Sequence, residues 1–231
     1  VDPATLLELA ERHGARPPAD TVEGVQDWYR FEDFPMFLER YFAVLELLRE
    51  PEDFATIAER YLDAAHAQGA VHVELHVSAT GHIAEGGKAW APIHDGIVEG
   101  GQRAAGRTGI SWGLIPDISP HLGAEVCAEA MEEVFAHDLD HVVAIGMGGP
   151  AESWPTQDFE AIYRRAESLG IPGVAHAAEH ADPWEVPHAV ERFCARRIQH
   201  GIGVVDDPLQ YLLGRPANDD RRIGLLGWLG V

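Results

Sequence analysis

The sequence predicts an α/β fold of the (β/α)8 TIM-barrel type, incomplete, with five strands recognisable. Two observations carry that reading. From residue 70 onward, short apolar runs alternate with helix-length stretches, the rhythm of parallel βαβ units with right-handed crossovers. The runs also end on polar residues: His76, Asp117, Gly148 with Gly149, His176 with Glu179, and His200. A barrel brings all such strand ends to one mouth, whereas an open doubly wound sheet concentrates them at a single switch point.

The first seventy residues read as helices. Asp2 is an N-cap ahead of Pro3 at the first helical position, and Leu6, Leu7, Leu9 and Ala10 form an apolar stripe that Gly14 ends. Residues 15–26, rich in Pro, Asp and Gly, read as a loop. Phe34, Phe37, Leu38, Tyr41, Phe42, Leu45 and Leu48 recur at three- and four-residue spacing, which predicts a second helix with its aromatic stripe packed in the core. The same stripe can roof an apolar ligand pocket, and this makes Phe37 a candidate substrate contact. Pro51-Glu52-Asp53 opens a third helix through Ile57, Tyr61, Leu62 and Ala65.

Strands follow at residues 70–78, 109–118, 140–149, 173–180 and 196–204, separated by helices at about 91–105, 120–137, 156–169 and 184–194. After Pro208 the rhythm stops, so residues 209–231 read as an atypical C-terminal tail on a single barrel domain spanning residues 1–231. No Gly/Ser linker or internal repeat divides it. The chain begins Val1-Asp2-Pro3 rather than with Met, which points to a segment upstream.

With 38 acidic against 17 basic residues the formal charge is −21, a balance that repels a phosphate backbone or an anionic membrane face. A small-molecule substrate is the expected partner, with neither nucleic acid nor membrane. No run approaches the ~18 uncharged apolar residues of a spanning helix. The two cysteines, Cys127 and Cys194, are far apart in sequence and form no CxxC pair, which suits a reducing cytoplasm.

The chemistry concentrates on "GVAHAAEH", residues 173–180. A neutral imidazole at a strand end is a zinc ligand or a general base, and Glu179, three residues on, becomes a proton donor if partly desolvated. A barrel sets His200, at the end of the next strand, beside His176. "IGMGGPAES" (145–153) lacks both the GxGxxG spacing and a lysine, so it reads either as a tight turn or as a place where a flat ligand approaches the backbone at Gly148 and Gly149. His72, Glu74 and His76 share one face of their strand, as stacked polar side chains inside a barrel. Asp206-Asp207-Pro208 reads as a helix cap, and His13, His66 and His137 read as solvent-facing.

These stretches resemble the adenosine deaminase family of the amidohydrolase superfamily. "DPATLLELAERHG", "VHVELHVS", "VVAIGMGGP", "GVAHAAEH" and "RRIQHGIGVVDDP" stand in order over about residues 1–208, the fourth like the family's His-Ala-Gly-Glu and the fifth like its Arg-Ile-Gly-His-Gly followed by Glu/Asp-Asp-Pro. The resemblance implies a zinc-bearing barrel that removes the exocyclic amine of an aminopurine. His176 would ligate zinc, Glu179 would protonate the purine ring, His200 would orient or deprotonate the attacking water, and the Gly149 backbone would bond the purine. The family's first strand, with its His-x-His zinc pair, would precede Val1, and its last two strands, the eighth with an Asp ligand, would follow Pro208. The sequence shows neither, so three of four expected ligands have no counterpart. Ala178 replaces the Gly of His-Ala-Gly-Glu, Gln199 replaces the Gly before His200, and His76 stands where Arg is usual. Three readings follow: a zinc deaminase completed by further chain or a neighbouring subunit, a metal-free enzyme doing acid–base chemistry through Glu179, His200 and either His180 or His76, and a non-catalytic barrel that binds a ligand or partner. Open sheet edges predict self-association into a homo-oligomer through "IGLLGWLG" (223–230).

Overall fold

Helix starts follow from local caps. In the computed structural model, which describes residues 1–148, 157–179 and 185–205, Asp2 accepts hydrogen bonds from the Ala4 and Thr5 amides (3.1 and 3.0 Å) and starts α1 (Pro3–Arg12). Thr21 accepts from the Gly24 amide and starts α2 (Val22–Trp28), a short helix that buries Val25 within the stretch expected to be loop. Asp33 starts α3 (Phe34–Leu45), and a reciprocal capping box of Glu50 and Asp53 starts α4 (Pro51–Ala67).

The chain forms two compact units, one of residues 1–73 with 89–112, the other of residues 74–88 with the described residues from 113 on. In the first unit Asp53 is fully buried and ties α1 to α4. It accepts from the Arg49 and Glu50 amides and from the Arg12 guanidinium (2.9, 2.8 and 2.7 Å), and its other contact is the His13 ring at 2.7 Å. His13 is therefore a half-buried partner of a buried carboxylate, contrary to the solvent-facing expectation. The aromatic stripe of α3 also departs from expectation. Phe37 is 38% and Phe42 40% exposed, and the rings cover each other along the helix instead, with Phe34 and Tyr41 stacked on either side of Phe37 at 5.9 and 6.2 Å between centroids.

Along α5 (Trp90–Thr108), Gly96 and Gly100 stand one turn apart on the face toward α4. A Cβ at Gly100 would lie 2.1 Å from the Ala55 carbonyl oxygen, and one at Gly96 2.2 Å from that of Pro51, so the backbones touch where only glycine leaves room. Arg103 and Arg107 flank this seam and pair with Glu52, Glu59 and Asp63 of α4.

The sheet runs in sequence order, β1 (His72–Val77), β2 (Ser111–Ile118), β3 (Ile145–Met147), β4 (Gly173–Ala177) and β5 (Ala195–His200), with β2 to β5 paired in parallel. β1 and β2 begin in the first unit and continue into the second. The third strand is shorter than expected: a parallel bridge between Leu114 and Val142 precedes three paired residues. In the second unit α6 (Ala124–Ala136), α7 (Glu160–Ser168) and α8 (Glu185–Arg192) alternate with the strands, α7 and α8 packing on β4. A π-helical turn, Gly81–Glu85, follows β1.

Period-two alternation stacks the inward positions of the second unit in layers. Ile115, Ala144 and Val174 form one apolar layer. Above them stand His76, Asp117, Gly146, His176 and Gln199. Side chains from the two ends of the strand order meet inside, Glu74 of β1 with Arg197 of β5 and His76 of β1 with Gln199 of β5, so the five strands curl as part of a barrel.

Candidate active site

His176 sits on β4 and its Nδ1 lies 2.6 Å from the Met147 carbonyl oxygen. A carbonyl only accepts, so Nδ1 carries the proton and Nε2 presents its lone pair to the interior. Burial pushes the His176 imidazole below its ordinary value. Asp117 and the Met147 carbonyl pull it back up, while His200 and His76 add to the lowering. Gly148 borders this ring: a Cβ there would meet His176 Cε1 at 3.5 Å, ordinary contact distance, so the position leaves space beside the imidazole.

Two residues past β4 comes Glu179, half-buried, with Oε2 3.6 Å from His200 Nε2. The backbone turns sharply at both strand ends, with Ala178 at φ +52° and His200 at φ +66°, in the left-handed region. The turn at His200 sets its ring 5.1 Å, centroid to centroid, from that of His176. The three residues singled out for chemistry thus converge. Phe37 belongs to the other unit, and Gly149 lies outside the described residues, as do His180, Asp206 and the tail.

The structure adds residues that the motif reading left out. His76 Nδ1 donates to both carboxylate oxygens of Asp117 (2.9 and 3.0 Å), and its Nε2 is 2.6 Å from the Gln199 amide nitrogen. The ring of His76 stands edge-on to that of His176, 6.0 Å away. Asp117 was visible as a strand-end carboxylate and His76 as one of a polar stack. Their pairing with Gln199 was not, because it joins three strands far apart in sequence.

For a metal, His176 Nε2 is a suitable single donor. Among the described residues it gathers no set of three ligating side chains, and a tightly held zinc needs three or more. The described residues around His176 therefore do not by themselves fit a complete zinc site.

A curled parallel sheet of five strands alternating with helices, with histidines and a carboxylate at its strand ends, defines an incomplete barrel of the TIM type. The chain matches the family model described as adenosine deaminase over residues 1–224 and belongs to that family. It is 31% identical over 207 residues to an adenine deaminase of Rhodospirillum rubrum, covering 90% of this chain and 61% of that one. It is also 31% identical over 215 residues to an aminodeoxyfutalosine deaminase of Acidothermus cellulolyticus, covering 90% and 60%. Among solved structures, an adenine deaminase from Arthrobacter aurescens superposes with a TM-score of 0.81 at 26% identity, covering 89% of this chain and 62% of that one. An amidohydrolase from Burkholderia ambifaria with bound Zn superposes at 0.78 and 31% identity, covering 90% and 57%. The chain thus spans about six-tenths of the length of these relatives.

Proposed function

We propose that this chain carries the proton-transfer half of a hydrolytic deaminase acting on an aminopurine, as a free base or a nucleoside. The observation that carries the reading is the convergence of Glu179, His200 and a tautomer-fixed His176 at adjacent strand ends. Deamination needs a proton on the ring nitrogen to make the carbon electrophilic, a water aimed at that carbon, and a proton for the leaving amine. Glu179 supplies the first. His200, 3.6 Å from the Glu179 carboxylate, orients the water, takes its proton and returns it to the leaving amine. Gly148 leaves a flat heterocycle close access to the backbone beside the His176 ring. The resemblance to adenine and aminodeoxyfutalosine deaminases supports the substrate class.

Zinc, where further ligands complete its shell, would be held here by His176 and would supply a bound water acidified toward pH ~7. Because His176 gathers no set of three ligating side chains among the described residues, a metal-free route through Glu179 and His200 is the second reading. Zinc content measured together with ammonia release from adenine, adenosine and related aminopurines separates the two. Turnover that chelators abolish supports the first, and turnover indifferent to chelators the second. In either case Glu179→Gln should lower kcat by roughly 10²- to 10⁴-fold, since it keeps shape and removes the proton. A variant as active as the parent sinks the assignment.

A further inference from the structure

The proposed chemistry leaves one polar chain unused: Asp117, His76 and Gln199. It is a built feature of the interior. Gly146 on β3 vacates the position that Asp117 fills, since a Cβ there would stand 1.8 Å from Asp117 Oδ1. Asp117 is nearly buried and a carboxylate only accepts, so it fixes the proton of His76 on Nδ1. The Gln199 amide nitrogen, a donor, lies 2.6 Å from His76 Nε2, which therefore accepts, while Gln199 Oε1 is buried without a hydrogen-bond partner among the described residues. Gln199 is the strand partner of His176 and the residue before His200, whose backbone holds the left-handed φ of +66°. A non-glycine residue keeps that conformation only where its surroundings determine it.

We infer that Gln199 is a positioning residue for His200, aimed by the Asp117–His76 pair. The carboxylate selects the His76 tautomer, the tautomer orients the Gln199 amide, and the anchored amide holds the end of β5 in the turn that sets the His200 ring beside His176 and Glu179. A glycine before the histidine, as in the family motif, has no side chain to anchor, so the device belongs to this chain's own sequence. Its consequence for turnover rests on the deaminase reading; its consequence for ring geometry does not.

The test uses the full chain labelled with ¹⁵N, and long-range ¹H–¹⁵N spectra of the histidine rings assigned by single His→Gln variants. His76 should show one tautomer, protonated at Nδ1. Gln199→Leu keeps side-chain volume without a donor, and Gln199→Gly removes both. Each should move the His200 ring signals and lower kcat for ammonia release about tenfold, with KM within about twofold. Unmoved His200 signals in Gln199→Leu, or a His76 protonated at Nε2, would overturn the inference, as would a change confined to Gln199→Gly, which marks packing rather than hydrogen bonding. Gly146→Ala, which displaces Asp117, should shift His76 and His200 together; if it fails to fold, Gln199→Leu decides. A parent chain that releases no ammonia from any aminopurine defeats the deaminase reading, while the ring signals still decide this one.

Discussion

Ala178 shows how a single position carries both fold and site. Its φ of +52° lies in the region where an L side chain crowds the following carbonyl, at about 1–2 kcal/mol. Two contacts hold it there: its amide donates to Glu185 Oε2 (2.6 Å), and its carbonyl accepts from the Gly203 amide (2.9 Å). Glycine adopts that conformation without the penalty, though it also gives the unfolded chain more freedom. Ala178→Gly should therefore raise stability by about 1 kcal/mol, seen as a thermal midpoint several degrees higher; an unchanged or lower midpoint would show that the turn is unstrained. At this scale the motif reading set His176, Glu179 and His200 at neighbouring strand ends, where they lie, because strand ends and short spacings are local properties. It marked Gln199 as the departure before His200 but not its partner, because the His76 contact exists only once β1 and β5 have curled toward each other.

Among the helices, α5 carries glycines whose substitution should have opposite signs. At Gly100 an added Cβ meets the Ala55 backbone at 2.1 Å, so Gly100→Ala must push α4 and α5 apart and should cost about 1–3 kcal/mol. At Gly106, exposed on the same helix, nothing lies within 4 Å, and Gly106→Ala should stabilise by about 0.5–1 kcal/mol through helix propensity alone. Urea midpoints of the two variants against the parent check the pair, and two changes of the same sign would refute the seam. Helix starts were legible because Asp2-Pro3 and Pro51-Glu52-Asp53 are local cap chemistry. The α2 helix was hidden, since seven residues amid Pro and Gly give too little periodicity to see. Periodicity also marked the face of α3 without telling what covers it, and Phe37 and Phe42 turn out to cover each other's neighbours rather than enter the core.

Across the whole molecule, the barrel-type class was legible because the strand–helix rhythm repeats locally, while the polar interior that ties β1 to β5 was not. That interior and its flanks bury imidazoles as neutral rings, and this sets the response to acid. His82, in the π-helical turn after β1, is 3% exposed, and burial with nearby Lys88 pushes it down to about 4; burial lowers His176 and His188 as well. The unfolded chain protonates such rings near pH 6.5 and the folded one only below the depressed value. Stability is thus complete above pH 6.5 and declines as pH falls toward about 4, by about 3 kcal/mol from His82 alone. The carboxylate of Asp53 adds a second decline. Burial would raise it, but two backbone amides, Arg12 and His13 hold it below the usual range, so its contribution is present above ~4 and lost as pH falls through that lower value. Urea unfolding followed from pH 8 to pH 3 should therefore show a plateau, a slope that begins near pH 6.5, and a second fall below pH ~4. His82→Gln should flatten the first slope and leave the second in place. Equal slopes for parent and variant between pH 6.5 and 4.5 would mean that His82 takes up its proton in the folded state, and that the turn after β1 opens to water before the molecule unfolds.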